Sequence, residues 1–224
     1  MSGVIITVII ATYSALLAFY CILEKRERFW SATILKVIIS AYAAGICVYS
    51  AILLDNTIFH IFALGLVFAV PADFFLQYIK SDLIRYRIGI SLFGAMHICL
   101  LISFFLADPI PKVYEFIIFA VFISTLLVFQ IKGKWKMGKE KTQLTVYTVF
   151  VVFMSAKAIS IYIAAPSSFT LALALGGLFF YISDLFLGIW AYSTERFVYL
   201  ALNRTTYFTG QLCLAFYLFL MVMV

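Results

Sequence analysis

The chain has 224 residues, of which 66% are apolar and only 12% charged, and its mean hydropathy is +1.13. This composition excludes a water-soluble globule, because too few polar side chains are present to cover its surface, and it indicates a polytopic membrane protein. The net charge of +6 does not indicate nucleic-acid binding. Most of the basic residues lie in short loops between hydrophobic segments, as is typical of membrane proteins.

Eight hydrophobic segments, each near the roughly 20 residues that a helix needs to cross a bilayer, follow one another along the chain. They cover residues 4–23, 32–54, 58–79, 84–106, 110–131, 142–164, 169–192 and 197–223. Continuous apolar runs do not fit a transmembrane β-barrel, whose alternating strands have about 10 residues. We therefore predict an all-α fold, a bundle of eight transmembrane helices forming one domain over residues 1–224.

Lysine and arginine residues set the predicted orientation, because short loops rich in them stay in the cytoplasm. Most of those in loops lie in alternate loops: Lys25, Arg26 and Arg28 in the first; Lys80, Arg85 and Arg87 in the third; Lys132, Lys134, Lys136, Lys139 and Lys141 in the fifth; and Arg196 in the seventh. Only Lys112 falls in a loop on the other side. Both termini are thus expected on the non-cytoplasmic side. The first segment is followed, not preceded, by positive charge, which is the wrong polarity for a cleaved signal peptide, so it is predicted to remain as a helix.

Two aspartates, Asp73 and Asp184, lie inside hydrophobic segments, where a carboxylate is costly unless it has a function. Aligning the third and seventh segments at an offset of 111 residues superposes them. The same offset superposes Gly65 on Gly176, Phe68 on Phe179, Phe75 on Phe186 and Leu76 on Leu187. Since the copies are four helices apart, the pattern suggests a 4+4 parallel repeat about an axis along the membrane normal.

Both aspartates are expected in the cytoplasmic half, because each comes roughly 15 residues, or about 22 Å, after its helix enters from outside. Counted inward from the cytoplasmic ends of the neighbouring helices, Lys36 and Tyr147 lie shallow, Arg204, Tyr207 and Gln211 lie progressively deeper, and His97 lies deepest. We expect all of them to converge on one polar cavity. Purely structural interpretations stay open: the two cations extending to the interface, the aspartates forming interhelical ion pairs, and the histidine making an interhelical hydrogen bond. Lys157, nearer the outer side, receives no role.

Metal and disulfide chemistry are not indicated. The four cysteines lie within predicted spans, without metal-ligand spacing, and are expected to be packing residues: Cys21, Cys47, Cys99 and Cys213. A zinc hydrolase needs about three protein ligands. The two histidines, His60 and His97, are expected far apart. We predict no metal and no cofactor.

Two other classes that use buried acids fit less well. An intramembrane aspartyl protease usually has Gly before one aspartate and Tyr before the other, whereas this chain has Ala72 and Ser183. A transporter commonly uses helices broken by Gly or Pro. Here Pro71 is the one proline well inside a predicted span.

The order and spacing of the polar residues carry a family resemblance. Lys36 lies early in the second segment, Asp73 follows GLVF in the third, and Phe93 precedes His97 by four residues in the fourth. The remaining matches are Gly176, Phe179, Ser183 and Asp184 in the seventh segment and Tyr207 with Gln211 in the eighth. Together they resemble the YhhN family of lysoplasmalogenases over nearly the whole chain, including the eight-helix count.

The resemblance implies hydrolysis of the vinyl ether bond of lysoplasmalogens, giving a fatty aldehyde and glycerophosphocholine or glycerophosphoethanolamine. Such a bond is cleaved by protonating its β-carbon and capturing the resulting oxocarbenium ion with water. In a shared cavity one carboxyl can hold a proton at neutral pH while the other stays charged. We expect Asp184 as the acid and Asp73 as the water-orienting base, by analogy with the paired carboxylates of glycosidases.

The other predicted site residues would bind the substrate. Lys36 and Arg204 would pair with the lipid phosphate, while Tyr147, Tyr207 and Gln211 would hold glycerol hydroxyls or water. His97 is also predicted to contact the substrate. The expected partners are a single-chain ether lysophospholipid and membrane lipids. The expected location is a bacterial inner membrane or the endoplasmic reticulum membrane. The alternative is a non-enzymatic transporter or lipid-binding protein that uses the aspartates as a substrate or proton site.

Overall fold

The computed structural model describes residues 2–79 and 81–224, so Lys80 of the predicted third-loop cluster lies outside the described residues. The described residues form eight α-helices and one short 3-10 helix. They are α1 (Ser2–Lys25), α2 (Phe29–Leu54), α3 (Thr57–Leu76), α4 (Leu83–Ala107), α5 (Val113–Lys132), the 3-10 helix (Gly138–Glu140), α6 (Lys141–Ala164), α7 (Ser168–Tyr192) and α8 (Phe197–Met223). All eight α-helices are long and apolar enough to cross a membrane. The protein is a multi-pass integral membrane protein, and the predicted all-α bundle is confirmed.

The helix ends differ from the predicted spans by a few residues. α3 ends at Leu76 rather than at Ile79. α5 begins at Val113 rather than at Ile110. Ile110 precedes Pro111, and a residue before proline is disfavoured in helical conformation.

The start of α4 lies earlier in the chain than the charge pattern suggested. The Asp82 side chain caps the helix by accepting hydrogen bonds from the backbone N–H groups of Ile84 and Arg85. Arg85 and Arg87, which were assigned to the third loop, therefore lie in the first two turns of α4. Their side chains remain exposed at this end of the bundle.

The helices of the two halves pack in the same order. In each half, consecutive helices contact each other, and the halves meet where α2 packs on α8 and α4 packs on α6. Exchanging the halves converts each of these contacts into its counterpart. α1 and α5, which are counterparts, are both peripheral, whereas α8 is the most enclosed helix. The packing therefore supports the suggested duplication.

Two glycines that the duplication relates bring helices into close approach. A Cβ added at Gly65 would lie 3.1 Å from the carbonyl oxygen of Met96, and one at Gly176 would lie 3.1 Å from the backbone nitrogen of Leu214. Small residues at such crossings allow transmembrane helices to pack backbone to backbone. They draw α3 against α4 and α7 against α8, and so hold the two aspartate-bearing helices in place.

Candidate functional site

A small cavity, largely enclosed, lies among α2, α3, α4, α6, α7 and α8. Its volume is about 30 Å³, enough for about two water molecules. Its polar lining comprises Lys36, Asp73, Tyr86, Tyr147, Asp184, Asn203, Arg204 and Tyr207. Six of the eight predicted site residues thus border one space, although they come from five different helices.

Asp73 lies in the last turn of α3 and is fully buried. The Lys36 Nζ atom, also fully buried, lies 3.2 Å from Asp73 Oδ1, and the two form an ion pair without the angle of an aligned hydrogen bond. The Tyr207 hydroxyl donates a 2.7 Å hydrogen bond to Asp73 Oδ2. A buried carboxylate needs a cation and hydrogen-bond donors to remain ionised. Asp73 has both.

Gln211 supports this arrangement from one turn further along α8. Its Nε2 atom donates to the Tyr207 hydroxyl at 2.6 Å and to the Ser40 hydroxyl at 2.9 Å. Gln211 is therefore in contact with the Asp73 network but does not border the cavity. Its position fixes the Tyr207 hydroxyl, which in turn directs its proton at the carboxylate.

Asp184, in the second half of α7, has a different environment. Its Oδ2 atom is buried and has no hydrogen-bond partner among the described residues. Its carboxyl group interacts with the Tyr147 side chain, which borders the same cavity. Within the described chain no cation pairs with it. The two aspartates thus share a cavity but differ in the feature that decides ionisation, which is a partner of opposite charge.

Arg204 is paired with a residue that sequence reasoning missed. Its Nη2 and Nε atoms lie 3.0 and 3.2 Å from Oε1 of Glu24, at the end of α1. Its Nη1 atom donates to the Asn203 side-chain oxygen, and Asn203 Nδ2 donates to the backbone carbonyl of Ser183. Both buried cations at the cavity, Lys36 and Arg204, therefore already have a carboxylate partner.

His97 lies behind the cavity rather than on its wall. The ring is fully buried, 5.5 Å from the Tyr147 ring and 5.6 Å from the Phe180 ring. Neither ring nitrogen has a hydrogen-bond partner among the described residues. The interhelical hydrogen bond considered for this residue is absent from these contacts, and His97 packs against Tyr147. The second histidine, His60, is exposed near the start of α3.

A second cavity, of about 50 Å³, adjoins the first and shares Tyr86, Tyr147 and Asp184 with it. Trp135, from the segment between α5 and α6, forms part of its wall. Its ring lies so close to α7 that a Cβ at Gly188 would be 2.1 Å from it. Trp135 therefore covers Asp184 from the side of the fifth loop, where the sequence showed only a run of lysines.

A separate charge cluster occupies the other end of the bundle. Lys157, left without a role by the sequence, lies 3.2 Å from both Glu115 Oε2 and Asp108 Oδ2, and Lys112 also pairs with Asp108. Asp108 follows the end of α4. Partial burial raises the pKa of its carboxyl group, but hydrogen bonds and charges from Lys112 and Lys157 outweigh this and lower it below the usual value. The cluster is balanced in charge and joins α4, α5 and α6.

The residues that the sequence did not identify are Glu24, Asn203, Tyr86 and Trp135. Glu24 lies just beyond the predicted first span, residues 4–23, and therefore did not stand out as a buried charge. Tyr147, by contrast, is a predicted site residue, and the sequence holds a further signal for it. The offset of 111 residues that relates Asp73 to Asp184 also relates Lys36 to Tyr147. Each aspartate thus faces the equivalent position of a neighbouring helix, occupied by a lysine in one half and a tyrosine in the other.

The fold and the cavity define a class: a polytopic helical membrane protein with two acidic side chains on one buried, polar cavity. Comparison with known families is more specific. Residues 32–218 match the YhhN family, and the chain belongs to that family. No curated protein and no solved structure matches the chain.

Proposed function

We propose that this protein hydrolyses the vinyl ether bond of lysoplasmalogens, using Asp73 and Asp184 as a catalytic pair. The observation that carries the proposal is that both carboxyl groups border one enclosed cavity of about the size of two water molecules. The reaction consumes one water and needs one acid and one base. Membership of the YhhN family is consistent with a hydrolase.

The environments of the two aspartates favour one assignment of roles. Asp73 contacts a lysine and accepts a hydrogen bond from Tyr207, so its charged form is stabilised. Asp184 has no cation partner within the described chain, and a lone buried carboxylate costs several kcal/mol. We assign the proton of the resting enzyme to Asp184 and the charge to Asp73.

The steps then balance in protons. Asp184 donates its proton to the β-carbon of the vinyl ether, and the adjacent carbon becomes an oxocarbenium ion that the Asp73 carboxylate stabilises. Water attacks that carbon while Asp73 accepts one of its protons, giving a hemiacetal. Asp73 then returns a proton to the leaving glycerol oxygen, while Asp184 takes the proton of the hemiacetal hydroxyl. Aldehyde and glycerophospho-alcohol leave, and both residues regain their starting states.

The remaining polar residues support this chemistry. Tyr207 and Gln211 orient the Asp73 carboxylate and the water beside it. Lys36 and Arg204 hold the positive charge that balances Asp73 and Glu24. A lipid phosphate that reached these two cations would have to share them with their carboxylates. His97 supports Tyr147 by ring packing.

The test is aldehyde release by the purified protein from a lysoplasmenyl lipid, with an ester-linked lysophospholipid as the parallel substrate. Asp73→Asn and Asp184→Asn should each lower kcat by about 10²–10⁴-fold, the usual contribution of a general acid or base. Asp55→Asn is the matched control, because Asp55 ends α2 with a positive φ of 45° that asparagine adopts readily. Helical circular dichroism and gel filtration verify that each variant is folded.

Each outcome has a distinct meaning. Aldehyde from the vinyl ether, lost in both cavity variants and kept in Asp55→Asn, supports the proposal. Fatty acid released from the ester instead moves the chemistry to acyl transfer. Absence of turnover by folded wild-type protein overturns the proposal and favours the alternative, a transporter or lipid-binding protein with the aspartates as its substrate or proton site.

A further inference from the structure

The cavity at the aspartates is too small for a lipid, so the substrate must be bound elsewhere before its reacting end enters. A groove of about 630 Å³ runs along the surface between α4 and α6, a volume typical of sites for single small molecules. Two of its wall residues, Ile90 and Tyr147, also line the aspartate cavity. These two side chains therefore separate the groove from the acids.

The groove changes in character along its length. Arg87, Lys139 and Thr142 lie at one end, and Ser91 and Gln143 follow. Beyond them the lining is apolar up to Ile98 and Phe150, except for Tyr147. From Arg87 to Ile98 the groove spans about 16 Å at 1.5 Å per residue, which is about half of the roughly 30 Å hydrocarbon core. The polar end and the apolar length match one lipid molecule of the leaflet next to the fifth loop.

The cations at the polar end are available to an anion. The Arg87 Nη2 atom donates to the Lys139 backbone carbonyl at 3.2 Å, which uses one of the five N–H groups of the guanidinium. Neither Arg87 nor Lys139 has a carboxylate partner among residues 2–79 and 81–224. Lys36 and Arg204, in contrast, are both paired. A phosphate at the groove end would thus meet unpaired charge.

Hydrogen bonds made by Gln143 and the absence of a side chain at Gly94 shape the middle of the groove. Gln143 Nε2 donates to the Arg87 carbonyl and to the Ser91 hydroxyl, at 2.9 and 3.0 Å. Further along, a Cβ at Gly94 would meet no heavy atom within 4 Å. The glycine leaves open space where a single hydrocarbon chain can lie against α4. Beyond Ile98 a second surface depression of about 330 Å³, which shares Ile98 and Phe150, extends the groove.

We propose that this groove binds the lysophospholipid from the membrane, with its phosphate on Arg87 and Lys139 and its single chain along Gly94 and Ile98. Its glycerol end then reaches the aspartates between Ile90 and Tyr147. The inference rests on the proposed function for the identity of the substrate, but binding can be measured without turnover.

The test uses a lysophosphatidylethanolamine analogue with a saturated alkyl ether and a photoactivatable diazirine in its chain. Crosslinks are mapped on purified protein and competed with unlabelled alkyl analogue. We expect labelling of α4 and α6 along the groove. Gly94→Leu should weaken binding about tenfold or more by filling the groove. Gly45→Leu is its matched control, since Gly45 on α2 also has nothing within 4 Å of its Cβ position.

The headgroup contact is tested with the double variant Arg87→Gln/Lys139→Gln. Its control is Lys25→Gln/Arg26→Gln, at the end of α1 and the start of the first loop. Loss of two charge-assisted contacts should weaken binding about tenfold or more, and the control pair should not. An alkylglycerol without phosphate should displace the photoactivatable analogue equally well from wild type and from Arg87→Gln/Lys139→Gln.

Three results would overturn the inference. The first is wild-type affinity in both groove variants, Gly94→Leu and Arg87→Gln/Lys139→Gln. The second is a set of crosslinks confined to helices other than α4 and α6. The third is equal displacement by a diacyl phospholipid, which would make the groove a site for bulk membrane lipid. Loss of binding in the groove variants together with no aldehyde from wild-type protein would leave the groove site intact and reject the proposed activity.

Discussion

Replacing Lys36 by methionine tests the central ion pair most directly. The variant keeps an unbranched side chain that lacks only the terminal ammonium group, and it leaves the Asp73 carboxylate fully buried without its cation. Breaking a buried pair by removing one partner destabilises proteins by about 3–5 kcal/mol. At pH 7 the free energy of unfolding should fall by no more than about 4 kcal/mol, because that is about the cost of protonating an ordinary aspartic acid at this pH. Once protonated, the side chain is neutral and no longer needs the lysine.

This ceiling makes the effect dependent on pH. Protonation becomes cheaper by about 1.4 kcal/mol for each unit of pH, so the difference between wild type and Lys36→Met should shrink to about 1.5 kcal/mol at pH 5. The double variant Lys36→Met/Asp73→Asn removes both charges and should recover most of the stability. The coupling energy of the cycle should be about 2–3 kcal/mol.

The assay is equilibrium unfolding in mixed micelles at pH 7 and pH 5, followed by circular dichroism. The four proteins of the cycle are wild type, Lys36→Met, Asp73→Asn and the double variant. Aldehyde release is measured alongside, and Lys36→Met should lose activity at pH 7 because a neutral Asp73 cannot act as a base. A Lys36→Met variant as stable as wild type at pH 7, or a stability gap that does not change with pH, would refute the reasoning.

Two further predictions concern packing outside the ion pair. Gly188→Ala should lower the free energy of unfolding by about 1–3 kcal/mol, because its Cβ would lie 2.1 Å from the Trp135 ring. Adding Trp135→Leu should recover most of the lost stability. A fully stable Gly188→Ala would contradict the placement of that ring. Lys157→Met should cost about 3–5 kcal/mol by leaving Glu115 buried and unpaired, with Glu115→Gln restoring stability. Thermal unfolding measures both, and kcat per folded molecule should be unchanged in the Lys157 series, since the cluster lies at the other end of the bundle.

Much of the site could be anticipated from the sequence because a charge in an apolar segment is conspicuous. Asp73 and Asp184 stand out for that reason. The basic loops predict which end of each helix is cytoplasmic, and the depth of Tyr147 and Tyr207 in the membrane then places them near the aspartates. Depth does not determine direction around a helix axis. His97 has a suitable depth, yet its ring lies behind Tyr147 and not on the cavity wall.

The eight apolar spans can be predicted from the amino-acid sequence, because the length and polarity of a span are properties of neighbouring residues, and the matched aspartate segments suggest the duplication. The partner of each buried charge depends on how the helices pack. Arg204 pairs with Glu24, 180 residues away, and Tyr207 reaches Asp73 across 134 residues. These contacts depend on how helices from both halves pack side by side. No local pattern records that packing, so only the assembled bundle shows that Asp73 has a cation beside it, while Asp184 has none among residues 2–79 and 81–224.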